Sequence, residues 1–255
     1  MLIRAGVSPI ATLPIAFLAG ALAGMVTGLL NTALGIPGIL ASILTQISLY
    51  SINLNIMGKA NQPVSVDNYP LVVSLRYVTD GSVSRLLFFL GMIVFLLALI
   101  AVMYWYFGTE QGHAIRATGC NSNMARAQGI NTNFIKVLAL MISNGLVGLC
   151  GALYGQFQGA SDVNMGRGAI VIGLAAVIIG EVLFGKFASK RKLAFAFTLA
   201  SVILGAVIYY MVYQFVLWLK MPSEDMKLFS AIVVAIFLAI PYLKEKRTLR
   251  KGASK

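Results

Sequence analysis

Charge is scarce in this sequence. Of 255 residues, 11% are charged and only 8 are acidic, where a soluble domain carries about 25% charged residues. That excludes an ordinary water-soluble domain. Cysteine and histidine are scarcer still, at Cys120, Cys150 and a lone His113. The cysteine spacing fits no metal site, and a polar loop and an apolar run are poor places for a disulfide. One imidazole without acidic or thiol partners does not make a metal centre. No segment reads GxxxxGK[ST], and HExxH, CxxC and the nucleophile elbow are missing too. Acids inside the apolar runs are reduced to Glu181, near an end. A proton- or sodium-coupled carrier ordinarily places carboxylates or unwound helices near mid-membrane.

What fills the chain instead is apolar length. It is 59% hydrophobic, with a mean hydropathy of +0.86. The runs are too long and continuous for the alternating strands of a lipid-facing barrel. The expected fold is all-α: a polytopic transmembrane helical bundle of about seven spans, forming a single domain over residues 1–255. The spans are read at 10–30, 38–57, 86–107, 137–157, 169–185, 193–219 and 228–243. The first carries Gly20, Gly24 and Gly28; the fourth carries Gly145, Gly148, Gly151 and Gly155. Small residues four apart share a helix face and allow close helix approach. These faces are expected to join two copies as a homodimer, while serving partly within one copy.

The net charge of +12 does not point to nucleic acid, because much of it sits in short runs beside apolar spans. There it sets orientation and touches anionic membrane lipid. Three basic regions fall on one side by parity of spans: 108–136, 186–192 and the tail 244–255. All three, and the C-terminus, are therefore expected in the cytoplasm, with Met1 outside.

The stretch 108–136 organises the rest. It is polar, lies between uncharged runs, and carries Arg116, Arg126 and Lys136 against Glu110. Residues 114–128 predict a short helix stopped by Gly129. A dock for a cytoplasmic partner and an ordinary solvated loop both remain open on composition. The second span is unusually polar, with Ser42, Thr45, Gln46 and Asn53 in a narrow arc at about 100° per residue. Ser143 and Asn144 sit near the middle of the fourth span. Pathway lining and interhelical hydrogen bonding both fit such residues. The loops 58–85 and 158–168 are placed outside, with a strand-like piece at 71–75.

From AIRATGCNSNMARAQGINTNFIKVLALMISNGLVGLCGALYGQFQGASDVNMGRGAIVIGLAAVIIGEVLFG, residues 114–185, the chain resembles the permease subunits of bacterial ABC importers of the branched-chain amino acid and ribose class. The shared pattern is R-A-x-G-x-N-x-x-x-A-x-x-x-G-I, here Arg116, Ala117, Gly119, Asn121, Ala125, Gly129 and Ile130. Further on come G-x-x-G-x-L, a glycine-bounded outer loop and A-A-V-I-I-G. More narrowly, IPGILASILTQISLYSINLNIMG and VIIGEVLFG resemble the branch paired with a tryptophan- or tyrosine-type binding lipoprotein. Members of that branch carry a further N-terminal helical region, with a segment like L-D-L-T-V-D-G-S-F, ahead of the G-V-x-P seen here from Gly6 to Pro9. The sequence begins just before that point, so either a truncated start or a protein without that helix is expected.

The resemblance implies a division of labour. The chain would be a non-catalytic permease subunit of the bacterial inner membrane, carrying a small solute such as an amino acid. Two copies would form the pore. Separate ATPase subunits, holding ATP and Mg, would dock on Arg116, Ala117, Gly119, Asn121, Ala125, Arg126, Gly129 and Asn131. A substrate-binding lipoprotein would deliver solute outside. No cofactor is expected in this chain. A stand-alone secondary transporter or channel is the alternative, and it would show midplane carboxylates or an inverted repeat. A membrane-embedded enzyme would need clustered His or acidic residues, which the sequence does not supply.

Overall fold

The computed structural model describes residues 2–64, 71–74, 82–166, 169–188, 194–218 and 235. The expected seventh span at 228–243, the basic tail at 244–255 and the lysines and arginine at 190–192 lie outside them. Among the described residues the helices are α1 (Pro9–Thr32), α2 (Gly38–Met57), α3 (Ser82–Phe107), α4 (Glu110–Cys120), α5 (Ser122–Ala127), α6 (Thr132–Gln158), α7 (Ala169–Ala188) and α8 (Ala194–Trp218). Two short strands, β1 (Asn61–Pro63) and β2 (Ala160–Asp162), complete the set. Among the described residues five helices are long and apolar enough to cross a membrane, and α7 holds a shorter apolar stretch, Ile172–Phe184. The chain is an all-α, multi-pass bundle. Large apolar side chains point outward along α3, where Val94 is 64% exposed. Water would penalise that surface and lipid does not.

The chain divides into two compact units. The first is built on α1 and α6, which run antiparallel with their backbones in contact. A Cβ built on Gly20 would collide with the Asn144 carbonyl oxygen, and one on Gly24 with the Leu140 carbonyl oxygen. One on Gly28 would lie 2.9 Å from the Val137 Cα, and one on Gly148 2.5 Å from the Ala16 carbonyl oxygen. Phe17 packs over Gly145. The glycine faces read from the sequence therefore meet each other inside one chain. Gly20, Gly24, Gly28, Gly145 and Gly148 thus serve packing within one copy, as was expected of part of these faces. Gly151 and Gly155 take no part: a Cβ on Gly151 would meet nothing within 4 Å.

α2 is fastened more lightly. Among its side chains only Ala41 and Thr45 are buried. The Thr27 hydroxyl donates to Thr45 Oγ1 at 2.9 Å, and the Thr45 hydroxyl donates to the Ala41 carbonyl at 3.0 Å. The turn into α2 is closed by Asn31, whose Nδ2 donates to the Ile36 carbonyl at 2.8 Å. At the far end of α2, β1 pairs antiparallel with β2, with Asn61 opposite Asp162 and Pro63 opposite Ala160. The Arg4 guanidinium donates to Gln62 Oε1 at 2.5 Å, bringing the chain's start to the same end. The described part of the strand-like piece, residues 71–74, is not a strand. Pairing falls instead on two short polar pieces that no alternation marks.

The second unit contains α7 and α8. A Cβ on Gly180 would collide with the Ser201 carbonyl oxygen, and one on Gly205 with that of Ala176. Ala175, Ile179 and Tyr209 are buried together, with Ile172 and Ile208 packed against them. Glu181 is exposed on α7.

Gly24→Ala is expected to destabilise the protein by about 1–3 kcal/mol, because two backbones must separate. Gly151→Ala, facing open space, is expected to stay within about 1 kcal/mol of the parent. Thermal unfolding of the detergent-solubilised protein compares them, and equal melting points would show that the seam is not in contact.

Candidate functional site

The polar stretch between α3 and α6 folds into two short helices where one was expected. Thr109 caps α4: its hydroxyl oxygen accepts from the Gly112 N–H at 3.4 Å, and Glu110 follows in the first turn. A carboxylate there suits the positive end of the helix dipole. The helix does not stop at Gly119, which lies inside α4 with no positive φ. The break comes at Asn121, whose extended backbone (φ −155°) ends α4 and starts α5. Its side-chain oxygen accepts from the N–H groups of Asn123 and Met124, each at 3.1 Å. An asparagine so placed serves both helices, which periodicity alone does not reveal.

α5 ends as expected at Gly129, where φ is +82°. The Gly129 N–H donates to the Arg126 carbonyl at 3.0 Å, and the Ile130 N–H to the Ala125 carbonyl at 3.1 Å. This pair of bonds is a Schellman motif, and its left-handed residue is normally glycine. Asn131 then caps α6, accepting from the Phe134 N–H at 3.2 Å. Arg126 reaches forward, its Nη2 donating to Thr132 Oγ1 at 3.3 Å. Thus Asn121, Gly129 and Asn131 shape the element, and Arg126 ties it to α6.

Exposure separates the remaining residues. Arg116, Ala117 and Gly119 are exposed on α4, and Arg126 on α5. Ala125 is buried, so it seats α5 within this chain and does not meet a partner. Met124, which the sequence reading passed over, is 65% exposed on an otherwise polar element. Its signal was available: one large apolar residue in N-S-N-M-A-R.

The polar stripe of α2 splits. Thr45 is buried in its bond to Thr27. Ser42, Gln46 and Asn53 stay exposed, and the Ser42 hydroxyl donates back to the Gly38 carbonyl at 2.9 Å. Asn144 is half-buried on α6; its Nδ2 donates to the Leu140 carbonyl at 2.9 Å, beside the α1 seam. Among the described residues no group of His, Cys, Asp and Glu could hold a metal ion. Cys120 and Cys150 are free, exposed thiols.

Gly129→Val forces a branched side chain into the left-handed region, at a cost of about 1–2 kcal/mol. Asn121→Ala removes a cap worth about 1 kcal/mol. Both are expected to speed amide hydrogen exchange across 110–131 while leaving α6 protected. Unchanged exchange in that stretch would remove these two residues as its fold determinants.

Residues 1–241 match the family described as branched-chain amino acid transport system / permease component. The chain is 40% identical over 234 residues to a tyrosine transport system permease protein of Clostridioides difficile (strain R20291), covering 92% of this chain and 74% of the relative. It is 25% identical over 178 residues to an inner membrane ABC transporter permease protein of Escherichia coli (strain K12), covering 70% of this chain and 53% of the relative. Against an autoinducer 2 import system permease protein of Yersinia pseudotuberculosis (serotype O:3, strain YPIII) it is 27% identical over 226 residues, covering 88% and 59%. No solved structure matches. A multi-pass apolar bundle, a capped two-helix element between two spans, and a family match over nearly the whole chain agree: this protein belongs to the branched-chain amino acid transport system permease family of ABC transporters.

Proposed function

We propose that this chain is the pore-forming, non-catalytic subunit of an inner-membrane ATP-binding cassette importer for an aromatic amino acid such as tyrosine. The observation that carries this reading is the 40% identity to a tyrosine transport permease across 92% of the chain. The element at 108–136 is the dock for a cytoplasmic ATPase, which holds ATP and Mg. Arg116 and Arg126 supply charge-assisted hydrogen bonds to an acidic rim, and Met124 supplies an apolar contact. The positive-inside rule puts this end in the cytoplasm, together with the C-terminus. The end bearing β1 and β2 then faces outward, toward a substrate-binding lipoprotein.

Two copies enclose the pathway in this reading, joined by surfaces other than the α1–α6 seam. Ser42, Gln46, Asn53 and the half-open Asn144 face the solute, and Thr45 fastens α2 to α1. Polar groups left open on a span are costly against hydrocarbon and acceptable against water. The surrounding bilayer lipid covers the apolar remainder.

Co-expression with its ATPase and binding lipoprotein, followed by uptake of labelled tyrosine into proteoliposomes, tests the assignment. ATP hydrolysis is expected only in the complex and not in the isolated chain. Arg116→Glu is expected to lose ATPase co-purification or to cut uptake about tenfold, the scale of a lost charge-assisted contact. Hydrolysis by the isolated chain would exclude the non-catalytic assignment, and full uptake with ATPase bound in Arg116→Glu would exclude the assigned dock.

Cysteines at Ser42, Gln46 and Asn53 are expected to react with small water-soluble thiol reagents, whereas Ile47 and Ser51 variants stay protected. Reaction confined to the Ile47 and Ser51 variants would make the stripe a packing surface.

A further inference from the structure

α6 has 27 residues, about 40 Å at roughly 1.5 Å per residue. It begins on the two-helix element and ends beside β2. At its far end stands Gln156, only 3% exposed. Its carboxamide works in three directions. Nε2 donates to the Pro9 carbonyl at 3.1 Å and to Thr12 Oγ1 at 3.2 Å, both on α1. Oε1 accepts from the Val72 N–H at 3.1 Å. Both amide hydrogens and one lone pair are thereby used. In an apolar setting each unmet group would be expensive, so the amide holds its partners firmly.

The third partner belongs to a different kind of structure. Residues 71–74 have no helix or strand, yet Leu71, Val73 and Ser74 are buried. Buried irregular backbone must find its hydrogen-bond partners among protein groups or water. Beside it lies an apolar cavity of about 520 Å³, lined by Leu13 and Leu153 of the α1–α6 pair, by Phe88 and Met92 of α3, and by Val72 and Val73. Between the ends of α6, the glycine contacts hold α1 and α6 backbone to backbone. Such a pair has little freedom to slide, because interiors repack in discrete steps.

We propose that Gln156 is a positioning residue that makes segment 71–74 travel with the α1–α6 pair. A shift imposed at 108–136 then arrives at the opposite end as a displacement of this segment. The inference rests on the importer reading above and adds the joint through which the far face responds. The two ends of the carboxamide have separate duties: the nitrogen grips α1, and the oxygen grips the segment.

The test uses the full complex of this chain, its ATPase and its binding lipoprotein in proteoliposomes. The background is Cys120→Ser with Cys150→Ser. The reporter is Val72→Cys, which keeps the backbone N–H and sits at a position 41% exposed. Its labelling by a membrane-impermeant maleimide is timed without nucleotide and in the ATP–vanadate-trapped state. The two rates are expected to differ about fivefold or more, the usual lower range of coupling between sites. Adding Gln156→Leu is expected to make the rates equal while ATP hydrolysis continues. Thr12→Val, which leaves the Val72 bond and the Pro9 carbonyl in place, is expected to keep the difference. Where leucine is not accommodated, Gln156→Met makes the same comparison. Equal rates with Gln156 present, or a difference that survives its loss, overturns the proposal. So does loss of the assembled complex in both variants, which would leave Gln156 a folding role alone. Failure of the parent complex to retain its ATPase is scored first, on the same preparation; it overturns the importer reading and this inference with it.

Discussion

The contact of α1 with α6 sets the terms for everything else in the first unit. Gly20 and Gly24 on one helix and Gly148 on the other bring carbonyl oxygens to where side chains would stand, Gly28 meets Val137, and Gly145 meets the Phe17 ring. In lipid, helices gain little by hiding apolar surface from one another, so close van der Waals contact must do the joining. Once the two backbones touch, their ends are fixed relative to each other. The capped turn before α6 and the buried amide at its other end are then features of one body. α2 is tied to that body through Ala41 and Thr45, and α3 keeps large apolar side chains exposed.

The family pattern acquires a physical meaning from the two-helix element. Of its matched positions, Asn121 caps, Ala125 packs inward, Gly129 turns the chain and Ile130 closes the turn. Four of the seven positions therefore describe how the element folds, and Arg116, Ala117 and Gly119 are exposed on it.

Span positions were legible because the signal is local. An apolar run bounded by Pro37 and Gly58 can only be a helix of that length, and α2 has those bounds. The glycines were legible as faces, but not their partners, since any glycine face fits any other. The Gly180–Gly205 seam shows the same gap in the second unit. The capping role of Asn121 was hidden because one asparagine in a helical stretch reads as an interruption or as nothing. The β1–β2 pair joins residues about a hundred positions apart through three-residue strands without alternation, and Gln156 is a single polar residue near a span end. Long-range partners of that kind leave no periodic trace.

The slight anchorage of α2 bears on how such a protein changes over generations. A hydroxyl pair, one buried alanine and ties at the two ends hold this helix in place. Most of its surface touches nothing else among the described residues. Substitutions on that open surface meet few internal vetoes, while those on α1 or α6 meet many. In the proposed reading, where α2 faces the solute, new solute preferences can be written onto it one residue at a time, over a scaffold that stays constant.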